Sequence, residues 1–237
     1  MTDFIILGAF TLELKGLLKL FDIQARYRFQ NTRIYNCSYA GQKIILAVTG
    51  MGRDNASRGA AQVIPLIRNQ KGVKVIVAGI SGAGCPQLRA GQVVYYKTLD
   101  LLARKQGRME CQPGFTLENL PKPGLLPVRG ATATFLAAGA EDKQTAYRQF
   151  GVEAVDMESY FFLKQDWPDG TKFVILRAIS DTAGQSLPAF LSAFSQQKMG
   201  TGLKQAAMEL VRPSGLRRLK HIYSNSKAAV SNLTLEV

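Results

Sequence analysis

The stretch Phe173-Val174-Ile175-Leu176-Arg177-Ala178-Ile179-Ser180-Asp181 constrains the fold more than any other. Its apolar, partly β-branched run lacks polar alternation, so it suits a strand buried on both faces, as in a parallel α/β sheet. Arg177, Ser180 and Asp181 fall where that strand should end. Ligands of open α/β sheets sit beyond the carboxyl ends of strands, which makes Asp181 a candidate site residue. A second acidic segment precedes it, Ala154-Val155-Asp156-Met157-Glu158-Ser159. Carboxylates from two adjacent segments can divide the work of donating a proton and holding a polar group. Taken singly they also suit plainer roles, Asp181 as the cap of a following helix and Glu158 as a solvated helix residue.

The rest of the chain supplies partners for that strand. Phe4-Ile5-Ile6-Leu7 with Gly8-Ala9 predicts a first buried strand and a tight turn, followed by a helix through Leu12, Leu14, Leu17, Leu18 and Leu20. Glu13 falls in the first turn of that helix, where it can favour the positive helix start or face the same cleft as Asp181. Residues 33–39 and 43–48 predict two strands joined around Gly41, and the second ends in Thr49-Gly50-Met51-Gly52-Arg53, a glycine turn feeding a helix to Ile67. That turn is no P-loop, because no Gly-Lys-Ser/Thr follows it. Lys74 to Ile80 predicts another buried strand, closed by Ser81-Gly82-Ala83-Gly84, so two small-residue loops and the 177–181 segment can converge on one pocket. Leu88 to Tyr96 suggests a further strand, residues 104–127 a polar, proline-bearing surface excursion, and 128–136 a short strand-like piece. Glu141-Asp142-Lys143-Gln144 marks a helix start, and from Ser186 the apolar spacing is helical. Phe135 is core by type, or a face for a planar ligand.

Thirty Lys and Arg against 17 acidic residues give a formal charge of +13, a field that attracts anionic partners or simply keeps the protein soluble. No zinc-finger, helix-turn-helix or aromatic RNA-binding signature accompanies it, so no specific nucleic acid is expected. Cys37, Cys85 and Cys111 are too far apart in sequence for a metal knuckle or a redox pair, and fit reduced thiols of a cytoplasmic protein. His221 is the single histidine, which removes histidine-dependent triads and zinc sites. The start Met1-Thr2-Asp3 has no basic n-region, and the apolar runs are strand-sized, so neither a signal peptide nor a spanning helix is expected. Beyond Val211 a basic amphipathic segment, with Arg217, Arg218, Lys220 and His221 among Leu216, Leu219 and Ile222, forms a C-terminal extension over 212–237. It is either an interfacial helix meeting an anionic membrane or a solvated helix.

With these pieces in order the chain resembles the nucleoside phosphorylase/nucleosidase superfamily, most closely its methylthioadenosine/S-adenosylhomocysteine nucleosidase branch, over Ile5 to about Val211. Leu176-Arg177-Ala178-Ile179-Ser180-Asp181 is similar to that branch's strand-end motif, Val155-Asp156-Met157-Glu158 to its ribose segment, and Gly8-Ala9-Phe10-Thr11-Leu12-Glu13 to its first-strand turn. The resemblance implies one domain over 1–211, a three-layer α/β/α fold with a mixed, mostly parallel sheet, a homodimer, and cleavage of an N-glycosidic bond with neither metal nor organic cofactor. It implies Asp181 as the acid that protonates N7 of the departing purine, kept protonated by burial and oriented by Ser180. Glu158 would hold the ribose hydroxyls, Met157 pack on the ribose, Phe135 stack on the base, and Ser81 and Gly82 line the pocket. Glu13, helped by Arg177, would position the attacking water.

Where the phosphorylases carry phosphate-binding arginines this chain has Thr11, Leu12 and Ala78, so the resemblance implies hydrolysis; Arg53 is the departure that favours phosphorolysis. Asp156-Met157-Glu158-Ser159 and Ala140-Glu141-Asp142-Lys143 also resemble hopanoid-associated phosphorylase-like proteins, which implies a lipid-bearing substrate and a use for the basic extension at a membrane surface. A relative that binds a nucleoside without turning it over is the other reading.

Overall fold

The structure is a computed structural model that describes residues 2–117 and 125–186. The helices expected from Leu187 onward, and the basic segment with His221, lie outside those residues. In chain order the described elements are β1 (Phe4–Gly8), α1 (Thr11–Leu20), β2 (Asp22–Phe29), β3 (Thr32–Tyr39), β4 (Gln42–Val48) and α2 (Arg53–Val63), with a short 3-10 turn over Ile64–Ile67. Then come β5 (Lys74–Ala83), β6 (Val93–Lys105), β7 (Arg108–Thr116), β8 (Leu126–Ala133), α3 (Ala140–Phe150), β9 (Ala154–Asp156), α4 (Ser159–Leu163) and β10 (Lys172–Asp181).

These strands form one mixed sheet in the order β10-β6-β8-β9-β5-β1-β4-β3-β2, with β7 beside β6. An additional β10–β5 pairing bends the first five into a barrel-like ring. Among the described residues five pairings are parallel and five antiparallel, so the expected predominance of parallel pairs does not hold. The reason is local. β2, β3 and β4 are joined by tight turns at Gln30 and Ala40-Gly41, whose positive φ values suit hairpins. The same device gives the expected surface excursion after residue 104 its form: Gln106 and Gly107, both at positive φ, fold β7 back onto β6 as a largely exposed hairpin.

β1 and β10 are covered on both faces. Ile5, Leu7, Ile175 and Ile179 pack with Ala56, Ala60 and Phe162 of α2 and α4, whereas Ile6, Leu176 and Ala178 pack with Leu14 and Leu17 of α1. An uninterrupted apolar run is what such two-sided burial requires, since each pleat points alternate residues at opposite layers. Cys37 and Cys85 are buried and unpaired, and Cys111 is half-buried. Among the described residues no helix is long and apolar enough to cross a membrane.

The sheet brings the candidate segments together. β10 runs parallel to β5 with Arg177 opposite Gly79 and Ile179 opposite Ser81; a register shift at Ser180 then sets Asp181 opposite Gly82. Bulges of this kind re-aim side chains at strand ends. Gly82 is also opposite Val155 of β9, whose Asp156 lies opposite Thr132 of β8.

Candidate active site

Asp156 is the hub. Its Oδ1 accepts from Thr132 Oγ1 at 2.7 Å and from the backbone N–H groups of Glu158 and Ser159, both at 3.1 Å. Its Oδ2 accepts from Ser159 Oγ and, at 3.1 Å, from Arg177 Nε. A short polar side chain that captures the N–H groups two and three residues ahead ends a strand and starts a turn. The turn after β9 is fixed in this way, and it aims Glu158 inward, where its Oε1 accepts from the Gly52 N–H at 2.8 Å. Gly52 starts α2 at φ 86°, a backbone region that glycine enters without strain. The glycine turn and the acidic segment, 106 residues apart, are thus joined by one bond.

Glu13 caps α1, as one of its two sequence readings has it, and reaches β5 as well. Its Oε2 accepts from the N–H groups of Ala9 (3.1 Å) and Phe10 (2.9 Å), which caps α1, while Oε1 accepts from the Ile80 N–H of β5 at 3.1 Å. The carboxylate is therefore held between two strand ends. Arg177 lies across Gly79 and gives its second hydrogen bond, from Nη2, to Ser159 Oγ at 2.6 Å. A Cβ on Gly79 would stand 2.1 Å from Arg177 Nη1 and 3.1 Å from Glu13 Oε1, so only glycine leaves room for the guanidinium there.

Glu13, Glu158, Asp156 and Arg177 are all buried, at 4%, 6%, 4% and 1% exposure. Fully ionised, three acids around one base would carry excess negative charge. Burial pushes the Glu158 carboxyl up to about 8, with the Asp156 charge adding to the rise and Arg177 opposing it. Burial likewise raises Glu13, against the pull of Arg177 and three backbone N–H donors. Burial alone would lower Arg177, but Asp156, Tyr96, Glu158 and Glu13 outweigh it and hold the guanidinium charged. Tyr96 OH lies 2.8 Å from Ser81 Oγ, and burial pushes this phenol well above its ordinary range.

Asp181 is buried too, at 2% exposure. Ser180 Oγ lies 2.6 Å from its Oδ1 and 3.1 Å from the Ser81 carbonyl oxygen, so one hydroxyl proton serves either acceptor. The other oxygen, Oδ2, is ion-paired with Lys143 Nζ, which also donates to the Thr182 carbonyl at 2.8 Å. The sequence reading expects an acid that Ser180 orients and that burial keeps protonated. Here an ammonium group at 1% exposure stands against it.

Among the other expected residues, Met157 is half-buried beside Glu158, and Gly82 faces Asp181, whose Oδ2 would lie 3.1 Å from an added Cβ. Phe135 follows the end of β8, half-buried, with the Arg104 guanidinium 4.5 Å above its ring. Arg53 is exposed and lies 5.6 Å from the centroid of Phe161. Among the described residues no three His, Cys, Asp or Glu side chains are grouped to hold a metal ion.

Sequence reasoning named Asp156 and Lys143 only within longer motifs and gave neither a role of its own. A signal for Lys143 was present: it stands at the first place of the series 143, 146, 147, 150, whose other members are Ala146, Tyr147 and Phe150. A lysine in an apolar series on a helix needs a buried partner.

No protein-family model matches the chain, and no curated protein matches it. Solved structures do. The methylthioadenosine/S-adenosylhomocysteine nucleosidase of Neisseria meningitidis, in complex with methylthio-immucillin-A, superposes with a TM-score of 0.65 at 19% identity over 100% of both chains. The S-adenosylhomocysteine nucleosidase of Streptococcus pyogenes, in complex with 5-methylthiotubericidin, gives 0.65 at 20% identity over 99% of this chain and 97% of that one. The futalosine hydrolase of Helicobacter pylori gives 0.62 at 16% identity over 100% and 98%. With its mixed sheet and its ring closure, the chain has the α/β fold of these nucleosidases.

Proposed function

We propose that this protein hydrolyses the N-glycosidic bond of a purine nucleoside, releasing adenine from a 5′-substituted adenosine. The observation behind the reading is the buried excess of carboxylate at the ends of β5, β9 and β10, with Glu158 pushed up to about 8. Ionising such a group is unfavourable by itself and becomes favourable against a cation. Glycosidic bonds to purines break through an oxocarbenium-like state, so the cluster favours the transition state over the neutral nucleoside. In this reading Glu158 accepts hydrogen bonds from the ribose hydroxyls, and Met157 packs on the sugar. Phe135 stacks on the base. Ser81 and Gly82 line the floor, Glu13 with Arg177 orients the water, and Asp181, set by Ser180, delivers the proton to N7. The neighbours that bind methylthio-immucillin-A and 5-methylthiotubericidin support nucleosides as the substrate class.

Phosphorolysis is the second reading, favoured by one contact: the exposed Arg33 reaches Thr11 Oγ1 in the first-strand turn and brings a cation to a place where the sequence alone shows none. Membership of the nucleosidase branch, the three-layer α/β/α arrangement, a homodimer, and a cytoplasmic protein that meets anionic membrane through residues 212–237 complete the proposal. The test is incubation with methylthioadenosine, S-adenosylhomocysteine and futalosine, with and without phosphate, and identification of the sugar product. A free reducing sugar formed without phosphate supports hydrolysis. A sugar 1-phosphate formed only with phosphate selects the second reading, and no base release from any substrate overturns both.

A further inference from the structure

We propose that Lys143 is the proton reserve of the site: a positioning residue that holds Asp181 and supplies, through it, the proton taken by the departing base. The inference rests on the hydrolytic reading above and goes beyond it, since that reading needs a proton at Asp181 without saying where it comes from. Both Asp181 oxygens already have partners, Ser180 Oγ at Oδ1 and the Lys143 ammonium at Oδ2. The Lys143 amine against Oδ2 is a proton donor in direct contact with the carboxyl, and it is held in place by the Thr182 carbonyl at 2.8 Å.

Three features tie Lys143 to this task. It is among the largest fully buried side chains, so its charge is not spent on solubility. Its stem packs above Gly82, where an added Cβ would meet Lys143 Cδ at 3.1 Å and Asp181 Oδ2 at 3.1 Å, so the residue that leaves room for the pair is also one expected to line the pocket. It also comes from α3, whereas Asp181 comes from β10, so the pair forms only when the two elements dock.

The step balances without an added reagent. The C1′–N9 bond breaks with its electron pair passing into the purine, whose N7 lone pair takes the proton from Asp181. Lys143 Nζ gives its proton to the Asp181 carboxylate in the same exchange and becomes a neutral amine. Water adds its oxygen to C1′ and releases one proton to solvent, and solvent returns one to Lys143, so no net proton is consumed. An ammonium can pass one of its three protons along a hydrogen bond, whereas a guanidinium is not deprotonated in proteins.

The test compares two substrates that share one 5′-substituted ribose. One carries adenine, which must be protonated to leave; the other carries 4-nitrophenolate, which leaves without a proton. In Lys143→Met and in Lys143→Arg, kcat for adenine release should fall by about a hundredfold or more relative to kcat for nitrophenolate release by the same variant. The arginine variant keeps the ion pair and the charge, so its failure on the purine isolates proton supply from mere positioning. Full rescue of adenine release by arginine, an equal fall on both substrates in either variant, or faster adenine release in the methionine variant would overturn the inference. Should the wild-type protein cleave neither substrate, the hydrolytic reading itself has failed, and the two failures are distinguishable.

Discussion

Asp181 concentrates the chemistry into one carboxylate with two occupied oxygens. In Asp181→Asn the amide keeps the shape but cannot pass a proton on, and steady-state kinetics should show turnover of a purine nucleoside down by about 10²–10⁴-fold with a small change in KM. Removing one partner of a buried pair also leaves the Lys143 ammonium uncompensated, so thermal unfolding should register a loss of about 3–5 kcal/mol. An asparagine variant with wild-type turnover would remove Asp181 from the mechanism. Glu158 gives a pH signature of its own. Its carboxyl rises from an ordinary 4.5 to about 8 in the folded chain. Between those values the folded protein holds a proton that the unfolded chain has released, so stability declines as pH rises through that window, by at most about 1.4 kcal/mol per pH unit from this group. Denaturant midpoints at pH 5, 6, 7 and 8 should follow that slope, and Glu158→Gln should flatten it. Equal slopes in the two proteins would count against the assignment. The sequence makes Glu13, Glu158 and Asp181 visible as acids at strand ends. It does not reveal which basic group faces which acid, because Arg177 and Lys143 choose partners through sheet register and helix docking.

At the scale of elements, the critical approach is β10 against β5. Gly79 sits opposite Arg177, and the guanidinium occupies the space that any side chain would need. In Gly79→Ala the guanidinium must shift, since a Cβ 2.1 Å from Nη1 cannot coexist with it, and we expect the shift to break its bonds to Asp156 and Ser159. We expect a loss of about 3–5 kcal/mol in equilibrium unfolding, the scale for breaking a buried pair, together with loss of turnover. A stable, active alanine variant would mean that the guanidinium has another resting place. Helix α1, strands β3 and β4, and the starts of α2 and α3 follow from apolar periodicity and glycine punctuation. β2 and β7 did not: their charged, half-exposed sequences give little periodic signal, and only cross-strand pairing makes them strands.

At the scale of the molecule, the charge of +13 is the property that most exceeds what the fold needs. If the basic extension meets a membrane, the full chain should sediment with anionic vesicles at low salt and leave them as salt screens the attraction, and truncation after Val211 should abolish the effect. Recovery of the full chain in the supernatant at low salt would end that idea. The sequence by itself determined that this chain makes a buried α/β sheet with acids at its strand ends, because burial on two faces writes an apolar run and a strand end writes polar residues beside it. Only the tertiary structure decided that the sheet closes on itself, that Asp156 ties Arg177 to the turn after β9, and that Asp181 is met by an ammonium. Those are contacts between segments far apart in the chain. Their free energy depends on distance and desolvation, which no local pattern encodes.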